Sequence, residues 1–379
     1  MALVQDWLTG YRGGEKLLEG YAGLFPAADL YTLIHVRGST SERIERLRIR
    51  ASPLSRLPGV ARHYRKLLPL FPHAIERFHL QGYDLVLSNS HSFAKGVRVA
   101  AGTPHVCSCL TPIRYVWDQT DAYLGRGLKR ASAAPLVAYL RRWDRRTSTP
   151  ERVTAFVAIS RAVAERIRRH YGRDSLVVHP WVDTERFRPS GEKPEDFYLL
   201  VGGFVPYKNE RLAIEAFRGL GRSLVVAGDG PTRRALEARA PENVRFTGRV
   251  SDARLAELYA SCRALIHPQE EDFGIAAVEA QAAGRPVIAL ARGGARETVV
   301  GVEAGGTSPP TGLFFERPDT DALAASVLEF ESQERHYEAS AIRRHAERFS
   351  LARFRRETIQ ALEASIGPLP GLADARRNG

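Results

Sequence analysis

The sequence predicts two doubly wound α/β domains in tandem, each a parallel sheet with helices on both faces. Three observations predict this. Short apolar runs alternate with stretches of helical periodicity along the whole chain, the pattern of parallel strands joined by crossover helices. A length of 379 residues suits two domains of roughly 180 residues better than one. The segment 180–194, rich in proline and polar residues, separates one alternating series from the next.

In the first series a strand-like run follows Met1, and further strands are predicted at Leu30–Ile34, Asp84–Ser88, His105–Cys109, Ala155–Ile159 and Leu176–His179. Between the last two, a helix is predicted over Ser160–Tyr171. Ser160 supplies the capping oxygen there, and Val163, Ile167 and Tyr171 recur on one face. The second series has strands at Phe197–Val201, Leu224–Ala227, Val244–Thr247, Ala264–His267 and Val287–Leu290, each followed by a helix. A last helix over 351–366 has no strand after it and is expected to cross back to the first domain, ahead of a tail of loop composition from Gly367. The expected domains are 1–185 and 186–350, with 351–379 as the returning helix and tail. Two such Rossmann-like domains facing each other leave a cleft at the carboxyl ends of their strands, where ligands bind in this architecture.

Hydrophobic residues make up 44% of the chain and charged ones 26%, the balance of an ordinary globular protein. No run of 18 apolar residues appears, and no signal peptide precedes the first strand, so a cytoplasmic location is expected. Cys107, Cys109 and Cys262 form no disulfide framework and have no further ligands nearby for a metal; they read as buried free thiols.

Charge is uneven. The formal net charge is +12, but residues 1–190 hold 30 Lys and Arg against 16 Asp and Glu, whereas residues 191–379 hold 25 against 27. The densest basic stretch runs from Arg43 to Lys66, with Leu47, Ile49, Leu54, Leu57 and Val60 interleaved. Such a stretch suits an anionic surface (lipid head groups, a lipid pyrophosphate or nucleic acid), or it is a solvated face of an arginine-rich chain. No nucleic-acid motif accompanies it, so nucleic acid is not an expected partner.

The richest motif is His267-Pro-Gln-Glu-Glu271-Asp-Phe-Gly274-Ile-Ala-Ala-Val-Glu279-Ala-Gln-Ala-Ala-Gly284-Arg-Pro-Val. A strand ends at His267, a loop carries Glu271, and Gly274 turns the backbone into a helix that Gly284 ends. The first turn of that helix offers unpaired N–H groups and a partial positive charge, an anion site. Glu279 lies about 7 Å further along the axis. A diphosphate on the helix tip would have Glu271 facing hydroxyls on one side and Glu279 on the other. Spacing alone is weak, since an acidic loop before an amphipathic helix is common; the whole string is specific.

The string resembles the Glu-x7-Glu signature of retaining glycosyltransferases of family 4, which have the GT-B fold. The resemblance implies that Glu271 contacts the donor sugar, that Phe273, Gly274 and Ile275 hold sugar and diphosphate through backbone amides, and that Glu279 holds the ribose. Other stretches follow in family order. Val201-Gly-Gly203-Phe-Val-Pro-Tyr-Lys208 resembles the phosphate-clamping loop, with Lys208 as the clamp. Ala227-Gly228-Asp-Gly-Pro231 resembles a turn on the donor side. Phe246-Thr-Gly-Arg249-Val250 resembles the segment around the base, and Gly293-Gly294-Ala-Arg-Glu297 a turn near the cleft. In the first half, Gly13-Gly14-Glu-Lys16 resembles the glycine loop that approaches the diphosphate. Ser88–Gly96 with His91, Thr111–Asp118 and Leu140–Asp144 resemble a mannosyltransferase-like branch acting on bacterial surface polysaccharides. His91 and Asp118 are the candidates for positioning the acceptor.

The resemblance implies transfer, with retention, of a hexose or deoxyhexose, GDP-mannose being the first donor to consider. The acceptor would be a lipid-linked or oligosaccharide glycan, and the protein would sit peripherally on the inner face of the plasma membrane. No cofactor and no metal are expected. Asp319-Thr-Asp321, the literal Asp-x-Asp match, reads as a helix start. Two positions depart from the family pattern: Gly203 stands where an arginine is common, and Leu110 replaces the histidine before Thr-Pro. Leucine offers no hydrogen bond, so a sugar hydroxyl buried against it would lose its partner, and a 6-deoxy donor follows as a hypothesis. The competing readings are a sugar-nucleotide epimerase of the same fold and a catalytically silent nucleotide-sugar-binding protein.

Overall fold

The structure is a computed structural model that describes residues 1–125, 127–205, 208–302 and 308–368. Pro206 and Tyr207 of the lysine-bearing loop, and the expected tail from residue 369 onward, lie outside the described residues. The chain divides into two compact units, Met1–Trp181 together with Ala352–Gly379, and Val182–Leu351.

The first unit contains β1 (Ala2–Leu8), β2 (Asp29–His35), β3 (Arg48–Ala51), β4 (His79–Leu80), β5 (Val86–Ser90), β6 (Arg98–Val99), β7 (His105–Cys109), β8 (Ala155–Ala158) and β9 (Ser175–Val177). Seven of them make one sheet in the order β3-β2-β1-β5-β7-β8-β9, and β4 pairs separately with β6. Every pairing is parallel. The chain winds outward from β1 through β2 to β3, then resumes on the other side of β1 with β5. The carboxyl ends of β1 and β5 therefore flank a topological switch point, the usual ligand crevice of open parallel sheets.

The second unit repeats the plan with β10 (Tyr198–Gly202), β11 (Leu224–Gly228), β12 (Val244–Gly248), β13 (Leu265–His267), β14 (Val287–Leu290) and β15 (Gly312–Phe315). The order is β12-β11-β10-β13-β14-β15, again all parallel, with its switch point between β10 and β13. Its core gathers Tyr198, Leu200, Phe217, Val226, Ile266, Ile288 and Phe330 between sheet and helices. Such near-continuous apolar strands are what a sheet covered on both faces requires.

The helix Arg161–Tyr171 is capped by Ser160, whose side chain accepts from the Val163 amide, and Asp319 caps the helix Thr320–Gln333 in the same way. The last helix spans Leu351–Ile366. Its Phe354 is fully buried on Tyr21, ring centroids 5.3 Å apart. Gly20 makes this seat: a Cβ there would lie 2.6 Å from the Phe354 ring and 2.7 Å from Trp181 Nε1. All three cysteines are buried and free. No helix among the described residues is long and apolar enough to cross a membrane.

One element corrects the sequence reading. The basic stretch 43–66 contains the edge strand β3, and two of its arginines share one carboxylate. Arg48 forms an ion pair with Asp29 at the start of β2, and Arg50 lies 3.7 Å from the same carboxylate. Alternating charge along Arg48-Ile-Arg-Ala hides the strand, because both arginines project from an exposed edge where charge also discourages edge-to-edge pairing.

Candidate active site

In the second unit the residues after β10 and β13 stand at the switch point. Lys208 Nζ lies 3.0 Å from Glu271 Oε1, each side chain about one-fifth exposed. Gln269 Nε2 donates to the same oxygen at 3.3 Å. Asn209 is the single non-glycine residue with positive φ (56°) among those described, and its Nδ2 donates to Pro268 O at 3.0 Å. The lysine loop and the glutamate loop are thus tied together by backbone as well as charge.

The loop then enters the helix Ile275–Ala282 through Gly274, whose left-handed backbone (φ 85°, ψ 58°) favours glycine. Its N-cap residue is this glycine, so no side-chain cap comes from that position. Gly274 O accepts from the amides of Ala277 and Val278. Among the described residues nothing accepts from those of Ile275 or Ala276. Two donors and the positive end of the helix are therefore left beside the Lys208–Glu271 pair. His267 lies beneath, with Nε2 3.2 Å from where a Gly274 Cβ would be; burial lowers its pKa and keeps the ring neutral.

The Gly293-Gly294 turn holds the glutamate loop by close approach. A Cβ on Gly293 would lie 2.2 Å from Glu271 O, and one on Gly294 would lie 2.4 Å from Phe273 Cα. The Gly294 amide donates to Glu271 O at 2.8 Å. Phe273 is buried edge-on against Phe349, centroids 5.6 Å apart. Gly228, with φ 134°, meets Gly202 so closely that a Cβ would fall 1.8 Å from its carbonyl oxygen. Gly203 differs, for among the described residues the nearest atom to a Cβ there is Asp229 O at 3.8 Å, so these residues leave room for the side chain this position lacks.

Glu279 is buried and accepts a 3.0 Å hydrogen bond from Tyr259, a fully buried residue whose hydroxyl burial and the Glu279 charge keep protonated. Arg249 is exposed and Val250 half-buried after β12. Glu210, which the sequence reading did not single out, is buried beside Lys208. Burial raises its pKa against the pull of that lysine, and among the described residues its Oε1 has no hydrogen-bond partner. Its signal was an acid at the first helical position after Asn209.

In the first unit, Gly13 begins the helix Gly13–Leu24, and a Cβ on Gly14 would lie 3.1 Å from Leu110 Cδ2. Leu110, the departure from the family pattern, therefore packs directly on the glycine loop. Gly14 O accepts from Asn89 Nδ2 at 2.9 Å. His91 follows β5 and is positioned by Asp6, a buried residue near the end of β1 that sequence reasoning missed. The Asp6 carboxylate accepts from the backbone amides of His91, Ser92, Phe93 and Ala94 and lies 2.9 Å from His91 Nδ1. Burial would raise the Asp6 pKa, but the charge and hydrogen bonds of His91 outweigh it and the pKa is lowered. Burial likewise opposes charging His91, while Asp6 and then Glu15 raise its pKa. The histidine is held by Nδ1, leaving Nε2 for chemistry. An acid inside a largely apolar strand, Ala-Leu-Val-Gln-Asp-Trp-Leu, was the available clue.

Asp118 pairs with side chains of a helix in the same unit. It lies 3.1 Å from His170 Nε2 and 3.8 Å from Arg166 Nε, on the helix Arg161–Tyr171, and the His170 hydrogen bond lowers its pKa. The three first-half motifs converge on a buried ion pair. Lys95 Nζ lies 2.7 Å from Asp144 Oδ1, and Asp144 Oδ2 accepts from Trp117 Nε1 at 2.7 Å and Tyr171 OH at 2.8 Å.

Residues 27–186 match the family model Glycosyltransferase Family 4, and residues 182–348 match Glycosyl transferases group 1. The fold is GT-B, and the two halves of the chain are each similar to a glycosyltransferase family model. Over 182 residues, 44% of this chain and 46% of the relative, it is 36% identical to a GDP-mannose-dependent alpha-mannosyltransferase of Mycolicibacterium smegmatis. It is 37% identical over 172 residues, 40% and 43% of the two chains, to the protein of that name in Mycobacterium tuberculosis. The chain thus spans less than half the length of these curated relatives. Among solved structures, HepE of Anabaena in complex with UDP-glucose superposes with a TM-score of 0.69 at 18% identity, covering 96% of this chain and 99% of that one. The sucrose-phosphate synthase of Thermosynechococcus elongatus gives 0.70 at 18%, with the same coverage. These two share its fold.

Proposed function

We propose that the protein is a retaining glycosyltransferase that moves a hexose or deoxyhexose from a nucleotide diphosphate to a lipid-linked or oligosaccharide acceptor in surface-polysaccharide assembly. One observation carries the reading: a lysine–glutamate pair 3.0 Å apart beside a helix tip whose N-cap is a glycine. When the donor binds, Lys208 exchanges Glu271 for a phosphate oxygen, and the Ile275 and Ala276 amides take another. Glu271, released, accepts from a sugar hydroxyl. The anomeric carbon–oxygen bond breaks with its electrons passing to the diphosphate, whose growing charge Lys208 and the helix amides offset without a metal. The acceptor oxygen bonds the anomeric carbon on the same face, and its proton leaves with the departing phosphate. His91, held by Asp6, positions the acceptor through Nε2.

The mannosyltransferase relatives, which carry GDP-mannose in their names, make GDP-mannose the first donor to test. Leu110 packed on Gly14 supports the narrower idea of a 6-deoxy donor, since no hydrogen bond is offered at that wall. Peripheral attachment to the anionic inner membrane face is supported by Leu57 and Leu70, 43% and 51% exposed, amid the exposed Arg56, Arg62, Arg65 and Lys66. A thermal-shift panel of GDP-, UDP- and dTDP-sugars finds the donor, because a ligand of the folded state raises its Tm. Product analysis with and without acceptor follows. Donor consumed without acceptor means an epimerase, and no shift by any nucleotide sugar defeats the assignment. Strong preference for GDP-mannose over a 6-deoxy donor removes the role given to Leu110.

A further inference from the structure

The helix Leu128–Arg146 carries an unexplained concentration of positive charge. Along one stripe it forms an open trough of about 480 Å³, which Thr120 also lines. Ala134, Val137 and Ala138 give an apolar stretch, and Arg130, Arg141, Arg142 and Arg145 contribute to the same lining. Arg130 is paired with Asp121. Among the described residues no acidic side chain pairs with the other three. Asp144, the acid in their midst, is buried and committed to Lys95, Trp117 and Tyr171.

Three uncompensated charges within five residues repel, and the like pair at i,i+4 weakens the helix that bears it. The chain nevertheless fixes two of them in place. Arg141 donates Nε to Val116 O at 2.5 Å, and Arg145 donates Nε to His170 O at 3.3 Å. Their guanidinium carbons lie 5.3 Å and 4.9 Å from the centre of the same Trp117 ring. Each guanidinium is thus anchored by Nε and by the indole, leaving its outer amino groups set to grip an oxyanion. Thr120, 8% exposed, has a hydroxyl with no hydrogen-bond partner among the described residues. Positive charge held rigid without a counter-charge is built for an anion, and several forked donors suit the many oxygens of a phosphate better than one carboxylate.

We infer that this trough binds a phosphoryl-bearing amphiphile, a mono- or diphosphate joined to an apolar carrier, with the phosphate on Arg141, Arg142 and Arg145 and the carrier along Ala134, Val137 and Ala138. The inference stands apart from the transfer reaction and is measured with no nucleotide sugar present. Monomeric farnesyl diphosphate and inorganic pyrophosphate are titrated calorimetrically into the full chain carrying Lys208→Ala, which weakens anion binding in the second unit. The same titrations are run with Arg141→Gln/Arg145→Gln added, and separately with Ala138→Glu, which puts a negative charge at an exposed helical position and leaves the arginine anchors intact. Farnesyl diphosphate is expected to bind more tightly than pyrophosphate, and both added changes to weaken it by on the order of tenfold or more. Unchanged affinity in the folded Ala138→Glu chain overturns the site even if the double arginine variant fails to fold. Pyrophosphate binding as tightly as farnesyl diphosphate overturns the apolar half. Binding to phosphatidylglycerol vesicles without binding of either soluble diphosphate overturns it in favour of a membrane contact.

Discussion

The two units share a winding plan but treat polar groups at their switch points in opposite ways. In the first, the carboxylates are consumed internally: Asp6 by four amides and a histidine, Asp144 by a lysine, an indole and a phenol. In the second, glycines bring backbone against backbone, and the polar groups so placed, Lys208, Glu271 and two helix amides, stay within reach of solvent. The first arrangement makes a rigid wall; the second leaves donors open, as the proposed anion seat requires. Damage to the first should therefore appear mainly as lost stability, and damage to the second mainly as lost turnover.

The sharpest way to break this contrast is Lys95→Ala. It strands a buried carboxylate and is expected to cost about 3–5 kcal/mol of stability, read as a fall in denaturation midpoint. A loss below 1 kcal/mol means Asp144 finds other support. Glu271→Gln is expected to lower turnover by on the order of 10²-fold or more while changing stability by less than about 1 kcal/mol; steady-state kinetics beside a melting curve separates the two. Equal damage to both readouts would erase the distinction between wall and seat.

A third effect is confined to the first unit. His105 is fully buried, with Nδ1 2.8 Å from Arg152 O and Nε2 2.9 Å from Ser88 Oγ, and burial pushes its pKa down to about 4. The unfolded chain takes up this proton near pH 6.5 but the folded chain only near 4, so stability is full above 6.5 and falls with acid between those values. The loss amounts to about 3 kcal/mol. Urea midpoints of the parent and His105→Gln measured at pH 7 and pH 4.5 test it, and parallel pH dependence would exclude His105 as the cause. The smallest effect expected is a gain. Gly203→Arg has room at its Cβ and adds a phosphate partner, improving donor affinity up to about tenfold; weaker binding would mean that the loop is already filled.

Much of the second unit was legible in the sequence because its constraints are local. Gly274, Gly293 and Gly294 announce turns and close approaches by composition alone, and the strand–loop–helix string fixes where Glu271 falls. The first unit was legible in its strands but not in its site. Asp6 and His91 are 85 positions apart, Lys95 and Asp144 are 49 apart, and nothing in the spacing shows that they meet. β3 escaped notice because an exposed edge strand carries charge where a central strand carries apolar side chains. Glu279 shows the limit of reading a helix from one end, since its position follows from geometry but its burial against Tyr259 depends on a neighbouring helix.

The seat of Phe354 on Gly20 has a consequence for biosynthesis. During translation the first unit leaves the ribosome long before the residues that cover the face of its first helix around Gly20 and Tyr21. The intervening segment, 182–351, is continuous and holds its own sheet and core, and all of it is made before the closing helix. The nascent chain therefore carries an uncovered apolar patch for the time taken to synthesise the whole second unit, and stalled or prematurely terminated products should be the species that chaperones hold and proteases remove.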